Sequence, residues 1–413
     1  MAKMNDSNCK KLDFCLIGHP FSIDHLYRYL KYRKPNLKKP RRDLLLKLFE
    51  WTPPFNERQV EITSPHKTVY GNIIVCPLLP EMVNPVRKLD PLQFATGRKR
   101  GISTPLDSEH LTGHFSNGVK HNNQSHFRSL CIEKVISALK LAVGQGARIS
   151  GLGGFTSIAD GDQGKLVASK VPGIAVTSGN TLTAMAAVDG VIFASKMLGL
   201  KLSEATAAVI GASGDIGTAC CRFLAKRVRR LVLTSRFSFN LLKIANELKQ
   251  YKKAEIIVEK ENKKAVSQAN IVITAASSVA PIFHQKDFKP GTIVCDVGYP
   301  KNIFVDYKIE NSDIFLFSGG LLTSPVPVIM PYDMGLPNPN VLYGCWCEAI
   351  VLALERRYES FSLGRGLITP ERMQLIWKMA KKHGFGRAPF FFGEEIWTEE
   401  QIHRIRKAKD KHR

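Results

Sequence analysis

The 413-residue sequence lacks any uncharged apolar run of the ~18 or more residues that would cross a bilayer. Its N-terminus, Met1-Ala-Lys-Met-Asn-Asp, lacks the apolar core of a secretory signal, so a cytoplasmic address is expected. No C-x-x-C pair occurs. Nine cysteines, an odd count at irregular positions in a long chain, do not make a disulfide framework, and reduced thiols follow. Cys345-Trp-Cys347 has the wrong spacing for a zinc knuckle. His110, His114, His121 and His126 fall in a polar, glycine-containing stretch without helical register, so no metal is expected. Acids are scarce: 36 Asp and Glu stand against 59 Lys and Arg, a formal charge of +23. An excess of that size attracts anionic partners through its long-range field. Zinc-finger, RRM and aromatic-interleaved basic signatures are missing, so nucleic acid is not expected; an acidic carrier protein and an anionic membrane surface remain as candidates.

The sequence is rich in βα rhythm. Val209-Ile-Gly-Ala-Ser-Gly-Asp-Ile-Gly217 follows an apolar run and opens a segment that can be helical from Asp215 to Lys226. Glycines at 211, 214 and 217 permit a tight turn, close approach of backbone N–H groups to a pyrophosphate, and close packing of helix on strand. An NAD site would carry an acid about 20 residues after the first glycine. Here the next strand, Arg230-Leu-Val-Leu-Thr-Ser235, ends in Arg236, and no acid precedes Glu247. That favours the 2′-phosphate of NADPH. The expected cofactor contacts are Gly211, Ser213, Gly214, Asp215, Ile216, Gly217, Thr234, Ser235, Arg236, Ala276 and Ser277.

Strands are expected at 206–210, 231–235, 255–258, 270–275, 292–297 and 314–317, which predicts a mostly parallel, doubly wound Rossmann-type α/β sheet. Further strands are expected at Phe14 to Ile17, near 60–63 and at 69–75, with helices over 131–143, 181–198, 340–355, 370–384 and 398–409. Residues 84–128, rich in Pro, Gly, Ser, Asn and His, read as a long loop or insertion. The domain reading is therefore an N-terminal α/β substrate domain over 1–179, an NADP-binding domain over 180–322, and a C-terminal helical region over 323–413.

Separate motifs converge on one family. Leu16-Ile-Gly-His19, Leu79-Pro-Glu-Met82, Gly151-Leu-Gly-Gly-Phe-Thr-Ser-Ile158, Ser178-Gly-Asn-Thr181, the glycine run, Leu233-Thr-Ser-Arg236, Gly298-Tyr-Pro-Lys-Asn302 and Gly344-Cys-Trp-Cys-Glu-Ala349 stand in one order. That order resembles the long-chain acyl-[acyl-carrier-protein] reductases of cyanobacterial alkane synthesis, over most of residues 12–385. The resemblance implies NADPH-dependent reduction of a fatty acyl thioester, on acyl carrier protein or CoA, to a fatty aldehyde, with an aldehyde-consuming enzyme as a further partner. It also implies Cys345 as nucleophile, from its Cys-x-x-Glu-Ala context. The residues alone would read Cys345 as a small buried hydrophobe. Cys347 is the fallback nucleophile and more readily structural. Glu348 and His19 are candidate helpers, and the backbone of Gly151 to Thr156 offers oxyanion donors. Two other readings stay open: an NADP-dependent hydroxy- or amino-acid dehydrogenase resembling shikimate dehydrogenase, and a non-catalytic nucleotide-sensing protein.

Overall fold

A computed structural model of the chain describes residues 11–38, 40–83, 117–236, 238–304, 309, 312–330 and 334–411. Two sheets organise it. The first half runs β1 (Phe14–Gly18), α1 (Ile23–Arg33), α2 (Arg42–Trp51), β2 (Phe55–Thr63), β3 (Thr68–Val75), α3 (Pro80–Val83), α4 (Asn117–Gly144), β4 (Ile149–Leu152), α5 (Lys165–Ser169) and β5 (Ala175–Thr177). Its strands lie in the order β2-β3-β1-β4-β5. All pairs are parallel except the β2–β3 hairpin at the edge. Buried on both faces, β1 and β4 are continuously apolar or small, whereas edge strand β2 alternates inward Val60 and Ile62 with exposed neighbours.

The second half follows through α6 (Asn180–Met197), β6 (Thr206–Ile210), α7 (Asp215–Leu224), β7 (Arg230–Thr234), α8 (Ser238–Lys249), β8 (Glu255–Val258), α9 (Asn262–Ser267), β9 (Ile271–Thr274), β10 (Ile293–Asp296) and β11 (Phe315–Ser318). The six strands are all parallel, in the order β11-β10-β9-β6-β7-β8. That is the Rossmann arrangement of two mirrored halves, and its switch point lies between β6 and β9. The doubly wound α/β fold expected from the sequence is thus present, each strand lying within a residue or so of its expected position.

The chain then returns. β12 (Leu321–Thr323) pairs with β13 (Val341–Tyr343), and α10 (Gly344–Leu354) lies on β1, β3, β4 and β5 of the first sheet and against α6. α11 (Pro370–Lys382) packs on α6 and α7, and α12 (Glu399–Lys411) closes the chain. A helix over 340–355 was expected; strand β13 occupies its first residues instead. The Gly344 N–H donates to the Gly320 carbonyl (2.9 Å), which ends the strand and starts the helix there. Cys345 therefore stands in the first turn of α10.

The loop expected over 84–128 needs correction for residues 117–128, which form the beginning of α4. This polar stretch has no apolar period to read, and it is helical as the continuation of the amphipathic turns that follow it. Residues 84–116, with His110 and His114, lie outside the described residues. No described helix is long and apolar enough to cross a membrane.

Candidate active site

A cavity of about 200 Å³ lies where the C-terminal ends of the two sheets face each other. One wall is nucleotide-like: Gly214, Asp215 and Ile216 from the turn after β6, Ala275 to Ser278 after β9, and Val297 to Tyr299 after β10. The turn has the shape a pyrophosphate needs. Gly211 takes φ +79°, and a Cβ there would meet the Ala275 carbonyl oxygen at 2.8 Å. A Cβ at Gly217 would overlap the Gly211 carbonyl, so both positions exclude other residues and the α7 N-terminus comes close to the turn. Gly214 at its N-cap has no side chain to occupy the first-turn N–H groups. These features fit a dinucleotide.

The other expected cofactor residues divide by what they touch. Thr234 is buried; its hydroxyl donates to Asn262 Oδ1 (2.5 Å), and its carbonyl accepts from the N–H groups of Gly211 and Ala212 (3.0 Å each). It holds the glycine turn from behind. The Ser213 and Ser235 hydroxyls bond to each other across the turn, and Arg236 stands exposed just beyond them. Asp215 turns its carboxyl away from the anion site, accepting from Asn180 Nδ2 and the Gly366 N–H (3.2 Å each). Asn180 also donates to Gln163 Oε1 (2.8 Å), which ties the first half to the nucleotide turn. Ala276 and Ser277 line the cavity, and the Ala276 carbonyl accepts from Asn302 Nδ2 (3.2 Å). Buried Asp296 fixes that neighbouring loop by accepting from Thr274, Gly298, Asn302 and Ile303.

Cys345 reaches the same cavity. Of the eight cysteines among the described residues it alone is partly exposed; Cys347, two residues on, is buried. Burial pushes the thiol up to about 11, against the backbone N–H groups of Gly154 and Trp346, which favour the thiolate. Gly179 makes the approach possible: it has φ +68°, and a Cβ there would overlap the Cys345 Cα and carbonyl. In the sequence Gly179 is marked only as the second residue of Ser178-Gly-Asn-Thr181. A glycine directly before a helix start was the available signal.

The two helper residues have other tasks. His19 Nε2 accepts from the Phe155 N–H (2.8 Å), so its Nδ1 carries the proton and donates to the Pro20 carbonyl (2.9 Å). Burial holds its pKa down to about 4. Neutral, with both nitrogens engaged, His19 shapes the Gly153 to Thr156 turn and has no proton to give into the cavity. Of the N–H groups expected as oxyanion donors, Gly154 faces the sulfur and Phe155 is taken by His19. Glu348 is fully buried. It accepts from the Thr177 hydroxyl and from the Leu182 N–H (2.9 Å), and its charge disfavours a thiolate at Cys345. It positions α10 and does not activate the thiol.

The profile of the shikimate / quinate 5-dehydrogenase family matches residues 193–318. The long-chain acyl-[acyl-carrier-protein] reductase of Synechococcus elongatus is 31% identical over 264 residues, 61% of this chain and 75% of that protein. Aminotransferase PigE of a Serratia species is 31% identical over 274 residues, 64% of this chain, which spans only 31% of that longer protein. Among solved structures, the Δ1-pyrroline-2-carboxylate reductase of Thermococcus litoralis aligns at TM-score 0.30 and 16% identity, over 50% of this chain and 67% of that one. Fold and comparisons define the class, an oxidoreductase of the NAD(P)-binding Rossmann type. Within that class, the chain belongs to the family of the Synechococcus reductase.

Two outcomes follow from this geometry. Alkylation of Cys345 by iodoacetamide should speed up roughly tenfold per pH unit across the neutral range, because the thiolate fraction grows by that factor below the thiol pKa. With burial holding that pKa near 11, a plateau below pH 8 would contradict the assignment. Gly179→Ala should lower the unfolding free energy by about 1–3 kcal/mol, from left-handed strain and overlap with a backbone that has no room to move. Unchanged thermal unfolding would mean that α6 and α10 meet otherwise.

Proposed function

We propose that the protein reduces a long-chain fatty acyl thioester, on acyl carrier protein or CoA, to the fatty aldehyde, using NADPH and a covalent acyl group on Cys345. The observation that carries this reading is the position of Cys345. It stands on the cavity wall between the glycine turn and an apolar surface of Phe21, Ile73, Ile74, Val75 and Tyr29. A hydroxy-acid dehydrogenase needs neither a thiol beside its nucleotide nor an apolar wall of that extent, and the shikimate dehydrogenase match ends at residue 318, before Cys345.

Cys345 sulfur attacks the thioester carbonyl, its bond to carbon forms as the carrier's carbon–sulfur bond breaks, and the thiol proton leaves with the carrier thiol. The N–H groups of Gly154 and Trp346 favour negative charge on sulfur as this begins. Bound NADPH supplies the hydride. Hydride addition leaves a thiohemiacetal anion on Cys345, which collapses to aldehyde as its carbon–sulfur bond breaks, and the Cys345 thiolate so released takes a proton from solvent. Thr234 and the Ser213–Ser235 pair support the nucleotide turn, and Arg236 is the cation for the 2′-phosphate.

Incubation with an acyl thioester in the absence of NADPH should leave an acyl mass on the peptide containing Cys345. Cys345→Ala should remove the adduct and the aldehyde together. Full activity with Ala at 345 would end this reading, and loss confined to Cys347→Ala would shift the nucleophile. Arg236→Ala should weaken NADPH by roughly one to two orders of magnitude, since a charge-assisted hydrogen bond is worth about 1.5–3 kcal/mol. NADH affinity should stay the same. Equal use of both nucleotides by the unaltered protein would contradict the phosphate role.

A further inference from the structure

Among the described residues, one row of large apolar side chains stays exposed on a helix of the first half. On α2, Leu45 and Phe49 are buried in the core of the first half, while Leu44, Leu48 and Trp51 are 50, 46 and 79% exposed. Spaced i, i+4 and i+7, they share one helix face. This row is no frayed end. Buried Lys134 donates to the Phe49 and Thr52 carbonyls (2.7 Å each) and fastens the C-terminus of α2 to α4.

α1 links this surface to the cavity. His25, Tyr29 and Tyr32 have the same spacing; the first two line the cavity and the third is 57% exposed. One face of α1 thus runs from the cavity wall to the protein exterior. The surroundings are strongly basic. Residues 23–51 hold nine Lys and Arg against three Asp and Glu, and Lys31, Lys34, Lys38 and Lys47 are exposed.

We propose that the outer face of α1 and α2 docks on an anionic lipid bilayer. Leu44, Leu48 and Trp51 enter the headgroup boundary and the surrounding lysines meet lipid phosphates. A bilayer matches both halves of the pattern. Its boundary accepts Leu and Trp, for which that depth is favourable, and its anionic headgroups attract Lys and Arg. A second copy of the chain does not match, because it would bring two basic rims together. An acidic protein would satisfy the charge but would have to bury Trp51 in a pocket of its own. The proposal is independent of the reaction assigned to Cys345.

The test uses the full chain and sedimentation with vesicles of phosphatidylglycerol and phosphatidylcholine in equal parts, against vesicles of phosphatidylcholine alone. Trp51 gives a direct readout, since Trp346, Trp377 and Trp397 are buried. Expected are binding to the mixed vesicles, a blue shift of tryptophan emission that Trp51→Phe removes, and loss of binding as salt rises. Replacing Leu44 and Leu48 together by Gln, or Lys31, Lys34, Lys38 and Lys47 together by Glu, should weaken binding by roughly tenfold or more. All six side chains are exposed, so an unchanged thermal unfolding curve can confirm that the variants fold. No binding to mixed vesicles, or binding without a change at Trp51, overturns the proposal. So does a result in which the Lys→Glu variant keeps its vesicle binding and loses turnover only with a carrier-protein-bound acyl group, which would assign the face to an acidic protein.

Discussion

A single buried carboxylate, Glu348, sets the relation between the two halves of the molecule. The Thr177 hydroxyl already accepts the N–H groups of Gly179 (3.3 Å) and Ser362 (3.1 Å), so its one proton goes to Glu348. The other carboxylate oxygen takes the Leu182 N–H in the first turn of α6. Glu348 thereby gathers the end of β5, the start of α6 and the segment near Ser362 onto α10. Burial raises its pKa, against the lowering effect of these donors. A buried carboxylate is costly unless its hydrogen-bonding capacity is met, and here the donors that meet it belong to separate stretches of chain. Removing the side chain would leave the Thr177 hydroxyl and the Leu182 N–H without their acceptor. Cys345, one turn earlier on the same helix, would lose its fixed place.

The convergence that Glu348 enforces explains the small residues around the cavity. The N-termini of α6 and α10 can meet only because Gly179 and Gly344 have no Cβ, the latter lying against the Gly320 carbonyl and Thr183. The α7 N-terminus joins them across Asn180 and Asp215. Helix N-termini favour negative charge, which suits a nucleotide pyrophosphate at α7 and, in the proposed reaction, the sulfur or developing oxyanion at α10. The apolar wall opposes this at Cys345. The thiol therefore stays protonated in the free site, and its reactivity depends on the few N–H groups that face it.

Much of the second sheet was legible because parallel strands buried on both faces read as continuous apolar runs, and the glycine turn announces its switch point. The beginning of α4 was illegible because polar residues there carry no period. For the site, the sequence located the right segments but not their bonding. His19 looked like a proton donor until Phe155 and Pro20 took its two nitrogens. Glu348 looked like a partner of Cys345, three residues away on a helix, yet its oxygens face β5 and α6. The eight described cysteines are one residue type in eight places, and only the tertiary path of the chain makes Cys345 the accessible one. Apart from the bond of His19 to its neighbour Pro20, such distinctions depend on contacts between residues 136 or more positions apart, which no local pattern encodes.

The division of the cavity suggests where specificity resides. Its nucleotide wall lies almost wholly within residues 193–318, the part that matches the shikimate / quinate dehydrogenase profile. Shape there is dictated by the pyrophosphate and tolerates little change, as the overlap at Gly217 indicates. The opposite wall comes from β1, α1, β3, the turn at Gly153 to Phe155 and the start of α10. Packing against α10 holds that wall in place: Gly18 and Gly153 both lie close against the Trp346 ring, and Trp346 Nε1 donates to the Ile17 carbonyl (3.4 Å). A substitution at Trp346 would thus move that wall and the Cys345 backbone together. In the proposed reaction, what is reduced would be set by the first sheet and α10 acting as one unit, while the second sheet would supply a reductant site that many substrates could share.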